Sequence, residues 1–255
     1  MPKSILIIVE GEADEVKFLK YLFGNCYKKA EYKVYSYKTN IHVLAQELFN
    51  NYSDFDEDET DIRLILASME PNKDRQQLLL SKYTDVYMIF DFDPQHDLPH
   101  FDTVKRMLKY FNDSTDQGKL FINYPMMQSY KHITLLPDDE FKCRCVDMEQ
   151  IKKYKELVGR ESNYTDLTQY NYETFYSLAV HHLRKANMIL TGTYEIPLIS
   201  KYLDFDMVNV YEKQLLQLQQ EGKLYVLNTC IFALIDFAPG RFFRFVSRHS
   251  DQLHI

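Results

Sequence analysis

A chain of 255 residues can bury one substantial core and still carry a smaller second lobe. Hydrophobic residues make up 45% and charged residues 26%, with only 7 Gly and 8 Pro, a balance that excludes a disordered chain and a loop-rich β-sandwich. The formal net charge of −7 does not mark the whole chain as a nucleic-acid binder, but a global charge leaves the charge of any one groove open.

The opening stretch MPKSILIIVEGE holds an apolar run too short and too acidic for a signal peptide or a membrane span, which points to the cytoplasm. Residues 4–9 (SILIIV) read as a strand covered on both faces. A helix follows over 13–23, apolar through Val16, Leu19, Leu22 and Phe23, with Gly24 suited to its end. Residues 32–37 (YKVYSY) read as a second strand, 41–50 as a second helix and 62–67 (IRLILA) as a further strand. The acidic run 54–61 reads as a solvated loop. Then come a helix over 74–82, a buried strand at 85–90 (DVYMIF), a helix over 101–111 and a last strand at 120–124 (LFINY). This alternation predicts an α/β domain with a mostly parallel sheet and helices on both faces.

After Pro137 the texture changes. Residues 148–157, 173–190 and 207–220 read as helices with no parallel strand between them, and 161–166 as a polar connection. The expected organisation is an α/β domain over 1–137 and a mainly helical lobe over 138–255. Cys143 and Cys145 do not have the spacing of a zinc pair; with Cys26 and Cys230 they read as free buried thiols. His181 and His182 sit on adjacent helical positions about 100° apart, so they cannot chelate one ion well.

In open parallel sheets, reactive groups gather beyond the carboxyl ends of the strands. Two acidic clusters fall at such places: Glu10-Gly-Glu-Ala-Asp14-Glu15 after the first strand, and Asp91-Phe-Asp93 after the DVYMIF strand. On neighbouring strands Glu10, Asp91 and Asp93 converge, and close carboxylates demand a cation or protons. Hard oxygen ligands suit Mg²⁺ or Mn²⁺. Glu12 and Glu15 read as first-turn acids that favour the helix dipole, whereas Asp14, four residues after Glu10, can face the same side. His96 and Asp97 read as loop residues, with Asp97 a possible outer-shell group.

The segment Ile-Val-Glu10-Gly-Glu-Ala-Asp14-Glu resembles the first Toprim motif, and Asp91-Phe-Asp93 resembles the second. The resemblance covers about the first 135 residues and extends to OLD (overcoming lysogenization defect) nucleases. It is strongest to stand-alone Toprim proteins of anti-phage and abortive-infection systems, including the PARIS effector that works with an ABC-type ATPase. It implies a Mg²⁺- or Mn²⁺-dependent endonuclease cleaving DNA or RNA, tRNA included. Glu10, Asp91 and Asp93 would hold the metal and carry catalysis, Asp14 would join a second ion, and Lys131 would stabilise phosphate charge. The Glu10-to-Asp91 gap exceeds what a compact Toprim domain needs, which implies an insertion near residues 54–82.

The alternatives are a haloacid-dehalogenase-type phosphatase, a phospho-receiver domain and a non-catalytic Toprim subunit. The first expects Gly-Thr after Asp-x-Asp, where Pro94-Gln95 stands; the second expects an earlier phosphoacceptor than Asp91. Arg241, Arg244 and Arg248 interleave with aromatics at helical spacing, as for a phosphate-following stripe or an amphipathic terminal helix. No phosphate-cradling Gly-x-x-x-x-Gly-Lys follows Glu10-Gly11, so an ATP-driven switch would come from a partner, docked on the aromatic-rich lobe. A homodimer is also compatible with this reading.

Overall fold

The computed structural model describes residues 3–51, 61–96, 99–203 and 205–253. Residues 54–60 of the acidic run, and Asp97, lie outside the described residues. The chain divides into two compact units, Met1–Phe23 with Tyr27–Phe121, and Gly24–Cys26 with Ile122–Ile255. The division falls within the last strand of the sheet, earlier than the change of texture after Pro137.

The first unit opens with β1 (Ser4–Val9), in which Ile5 to Val9 are all buried. Then follow α1 (Asp14–Cys26), β2 (Glu31–Ser36), α2 (Ile41–Asn51), α3 (Ile62–Met69) and α4 (Lys73–Leu79). β3 (Asp85–Asp91), α5 (Phe101–Tyr110), β4 (Asn112–Asp113) and β5 (Gly118–Asn123) complete the series. The mostly parallel sheet has the order β2-β1-β3-β5-β4. β1 is parallel to both neighbours, with Val9 opposite Ser36 on one side and Ile89 on the other.

The chain steps from β1 to β2 in one direction, then returns past β1 to β3 and continues to β5. With right-handed crossovers, this reversal puts α1 on one face and α2 and α5 on the other. The packing of α2 against α5 agrees. The reversal leaves its crevice between the carboxyl ends of β1 and β3, the topological switch point of the sheet.

Residues 62–67 are not a strand. They form α3, with Asp61 accepting from the Arg63 amide at 2.9 Å as its N-cap. Ile62, Ile65 and Leu66 are buried at helical spacing while Leu64 is 59% exposed. A six-residue apolar run is ambiguous between the two periods, and here the cap and the exposed Leu64 decide it. β4 is also new; it is only two residues long and pairs antiparallel with β5.

The second unit comprises β6 (Cys145–Asp147), α6 (Met148–Lys152), α7 (Tyr154–Glu161), α8 (Tyr172–Thr191), α9 (Ile199–Leu203), α10 (Met207–Glu221), β7 (Lys223–Tyr225), α11 (Ala233–Phe237) and α12 (Pro239–Arg248). α8 is its spine, packing on α10 and α12. Asn171 caps its start by accepting from the Thr174 amide, and Gly192 at φ +84° ends it in the left-handed conformation. The helix expected over 148–157 breaks at Lys153 into α6 and α7. β6 and β7 form an antiparallel pair too short to show as strands in sequence.

All four cysteines are free, and only Cys26 and Cys230 are buried; Cys143 is exposed and Cys145 half-buried. Among the described residues no helix is long and apolar enough to cross a membrane.

Candidate active site

The ladder between β1 and β3 continues one residue past β1, through the Glu10 amide donating to Ile89 O at 3.2 Å. This brings the Glu10 side chain across the switch point, where its Oε2 accepts from the Asp91 amide at 3.1 Å. On the other side Lys38 N donates to Glu10 O at 2.9 Å. Glu10 and Asp91 are both half-buried. Two of the expected acids thus share one junction, with the Glu10 carboxylate held by main chain from β3.

Asp93 lies two residues on, after the buried Phe92, and has φ +42°. That left-handed turn ends the strand alternation, so Asp93 does not simply repeat the direction of Asp91. Its Oδ2 accepts from Asn40 Nδ2 at 3.2 Å. Asn40 also caps α2, with Oδ1 accepting from the His42 and Val43 amides at 3.0 Å each. His42 locks the same turn from below. Its Nδ1 accepts from the His100 amide at 3.1 Å, so Nε2 carries the proton and is shared between Phe92 O and Asp93 O, each at 3.2 Å. Burial, helped by the nearby His96, lowers the His42 pKa and keeps the ring neutral.

The Gly11 loop is held from β2. Ser36 Oγ donates to Gly11 O at 2.8 Å, and Arg75 Nη2 donates to Ser36 O at 2.6 Å. Arg75 is fixed in turn by Glu70, at 2.8 Å from Nε, and lies over the Tyr35 ring. The Arg75 guanidinium holds the Glu70 carboxyl down at about 2. Glu12 pairs with Lys38 at 2.6 Å, and that bond and charge lower its pKa.

Glu15 departs from expectation. It stands in the first turn of α1 as read, while Glu12 precedes the helix, but it is only 9% exposed, and a Cβ on Gly11 would lie 2.5 Å from its Oε2. Gly11 therefore makes room for a carboxylate that lies against the loop. Asp14 is exposed at the start of α1. Lys131 belongs to the second unit, in the 3₁₀ turn Met127–Lys131, with Nζ 5.8 Å from the Tyr130 ring centre. His181 and His182 face main-chain groups with all four ring nitrogens. His181 Nε2 accepts from the Asp138 amide and Nδ1 faces Ser177 O, while His182 Nδ1 accepts from the Asn228 amide and Nε2 faces Tyr130 O.

Oxygen donors at two adjacent strand ends suit a hard divalent ion in kind. Their present arrangement is not a closed cage: among the described residues no three His, Cys, Asp or Glu side chains group closely enough to hold a metal. Asp93 Oδ2 is tied to Asn40 in this arrangement.

Fold and site together define a doubly wound α/β unit with carboxylates at its switch point, joined to a helical unit. Comparison with family models, with curated proteins and with solved structures finds no match to this chain. Sequence reasoning passed over Asn40, His42, Lys38 and the burial of Glu15. Only Asn40 carried a signal, as a capping residue directly before the apolar period of 41–50.

Proposed function

We propose that this chain is a Toprim-type nuclease that hydrolyses phosphodiester bonds in DNA or RNA with the help of Mg²⁺ or Mn²⁺. The observation that supports it most is the Glu10 carboxylate meeting the Asp91 amide across the switch point. In this reading Glu10, Asp91 and Asp93 hold the ion, and Asp14 serves a second one. When bound, the ion supplies Lewis acidity at a phosphoryl oxygen. Glu10 acts as ligand or as acceptor of the attacking water's proton. Asn40 and His42 hold the turn that carries Asp93. The same reading makes the chain an anti-phage effector restrained by an ABC-type ATPase partner.

Cleavage of single- and double-stranded DNA and of RNA, with Mg²⁺ and Mn²⁺, tests the activity beside Glu10→Ala. Metal-dependent cleavage lost in Glu10→Ala supports it. Release of phosphate from phosphomonoesters without any strand cleavage transfers the site to the haloacid-dehalogenase reading. Phage protection that survives Glu10→Ala makes the chain a non-catalytic subunit. Growth arrest that needs Glu10, the ATPase and phage together supports the gated effector, whereas Glu10-dependent toxicity of the chain alone removes the gate and keeps the nuclease.

A further inference from the structure

α12 carries charge of the opposite sign to the chain as a whole. No acidic residue occurs between Asp236 and Asp251, and three arginines fall in that interval, in a chain of net charge −7. Arg241, Arg244 and Arg248 are all exposed, and at about 100° per residue they lie within about 60° of one another around the helix. They span about 10 Å along it, at 1.5 Å per residue. The adjoining side is spent on the core, where Phe242 is fully buried and Phe245 is 8% exposed. Arg241 is anchored by Nη1 donating to Cys26 O at 2.8 Å. Among the described residues no carboxylate pairs with Arg244 or Arg248.

A second observation adds to the charge. Tyr172, at the start of α8, leaves 43% of its surface exposed although it packs edge-on against Phe245 and Tyr176. Its hydroxyl donates to Glu173 at 3.0 Å, which tethers the ring tip. Phe245, which the ring meets, lies about 40° from Arg241 and about 60° from Arg248 around α12, so Tyr172 flanks the arginine line. An exposed, tethered aromatic ring beside a line of arginines is what a nucleic-acid strand with unpaired bases requires. The phosphates follow the positive line and a base stacks on the ring. A duplex offers phosphates but no open base face, and an acidic peptide offers charge but no stacking partner.

We infer that the Tyr172 ring and the Arg241–Arg244–Arg248 face of α12 form a binding platform for single-stranded nucleic acid. The platform extends the proposed function from the reaction to the form of the strand held, and the two can fail separately. Binding is read without cleavage, and cleavage is read by product length.

The test is fluorescence anisotropy in EDTA, with the full chain and labelled 20-nucleotide dT and U strands and a mixed-sequence duplex. Tighter binding of either single strand than of the duplex is expected, and the two strands distinguish DNA from RNA as the source. Arg244→Ala with Arg248→Ala weakens binding and lowers the salt slope by about 1.4, at about 0.7 for each phosphate that is no longer neutralised. Tyr172→Ala weakens binding about tenfold, in the range of one base stack, whereas Tyr172→Phe keeps it. Because Tyr172→Ala also removes packing on Phe245, Arg244→Glu serves as a variant that leaves the core untouched. No binding, preference for the duplex, or wild-type affinity and salt slope in both arginine variants overturns the platform.

Discussion

The buried polar groups of the second unit and the acids at the switch point of the first are placed differently. In the second unit, His181, His182, Lys185 and Asn228 spend their buried polar atoms largely on main chain. His181 and His182 each use both ring nitrogens on backbone partners, and burial pushes His182 down to about 3. Lys185, fully buried, donates to Phe141 O and Arg144 O. Asn228 uses both ends of its amide. At the switch point of the first unit, Glu10, Asp91 and Asp93 are only half-buried at the ends of β1 and β3. Residue type alone does not mark a reactive group. What separates these acids from the buried polar groups is that they stand half-exposed at strand ends.

The comparison breaks most visibly in activity. Glu10→Ala is expected to abolish strand cleavage, and Asp91→Asn to lower it by about a hundredfold or more, the scale of losing one preorganised charged group. Neither should lower the unfolding midpoint in urea by more than a fraction, because both residues are only half-buried. A large loss of stability with either substitution would class these acids with the buried polar groups.

Asn228→Ala should do the reverse. Its Nδ2 donates to Met127 O at 3.1 Å and its Oδ1 accepts from the Ile231 amide at 3.1 Å, all buried. Stranding two buried main-chain groups costs about 2–4 kcal/mol in all. Urea unfolding followed by circular dichroism reads this directly, and an unchanged midpoint contradicts the account of the helical core.

The strands and helices of the first unit were largely legible because 4–9 and 85–90 carry unmistakable buried-strand runs, which also put Glu10 and Asp91 at strand ends. What escaped reading has a common physical cause. IRLILA could serve either period until Asp61 capped it, and β6 and β7 exist only through pairing with each other. Asn40 bridging to Asp93, and His42 locking Phe92 and Asp93, join positions about fifty apart in sequence that no local pattern relates. Glu15 was readable as a helix-start acid but not as a buried one, since its burial follows from the course of the Gly11 loop.

A smaller effect concerns pH. Burial lowers the Lys185 pKa from 10.5 to about 7. The neutral amine has two N–H groups, enough for the two carbonyls it meets. Below pH 7 the folded and unfolded chains both hold the proton. From pH 7 towards 10.5 the unfolded chain binds it and the folded chain does not, so stability rises with pH, by at most ~1.4 kcal/mol per pH unit. Lys185→Met should flatten the rise between pH 7 and 8.5, a window that stays below most tyrosine titration. Parallel stability curves for the two proteins would show that Lys185 keeps its charge when folded.

The smallest expected change in stability comes from Gly11→Ala, yet it asks the sharpest question of the strand-end site. The new Cβ would meet Glu15 Oε2 at 2.5 Å, and that atom is the end of a flexible side chain. The carboxylate can swing out, so the cost should stay within about 1 kcal/mol, as for substitutions that a side chain can escape. Cleavage separates two roles for the buried acid. If the Glu15 carboxylate takes part in the site, Glu15→Gln and Gly11→Ala each lower activity, and the double variant is no worse than the single ones. If Gly11 serves only to let the loop pass, Glu15→Gln leaves cleavage intact and Gly11→Ala alone is mildly impaired. Strictly additive losses in the double variant would separate the two residues and return Glu15 to the role of a packed first-turn acid.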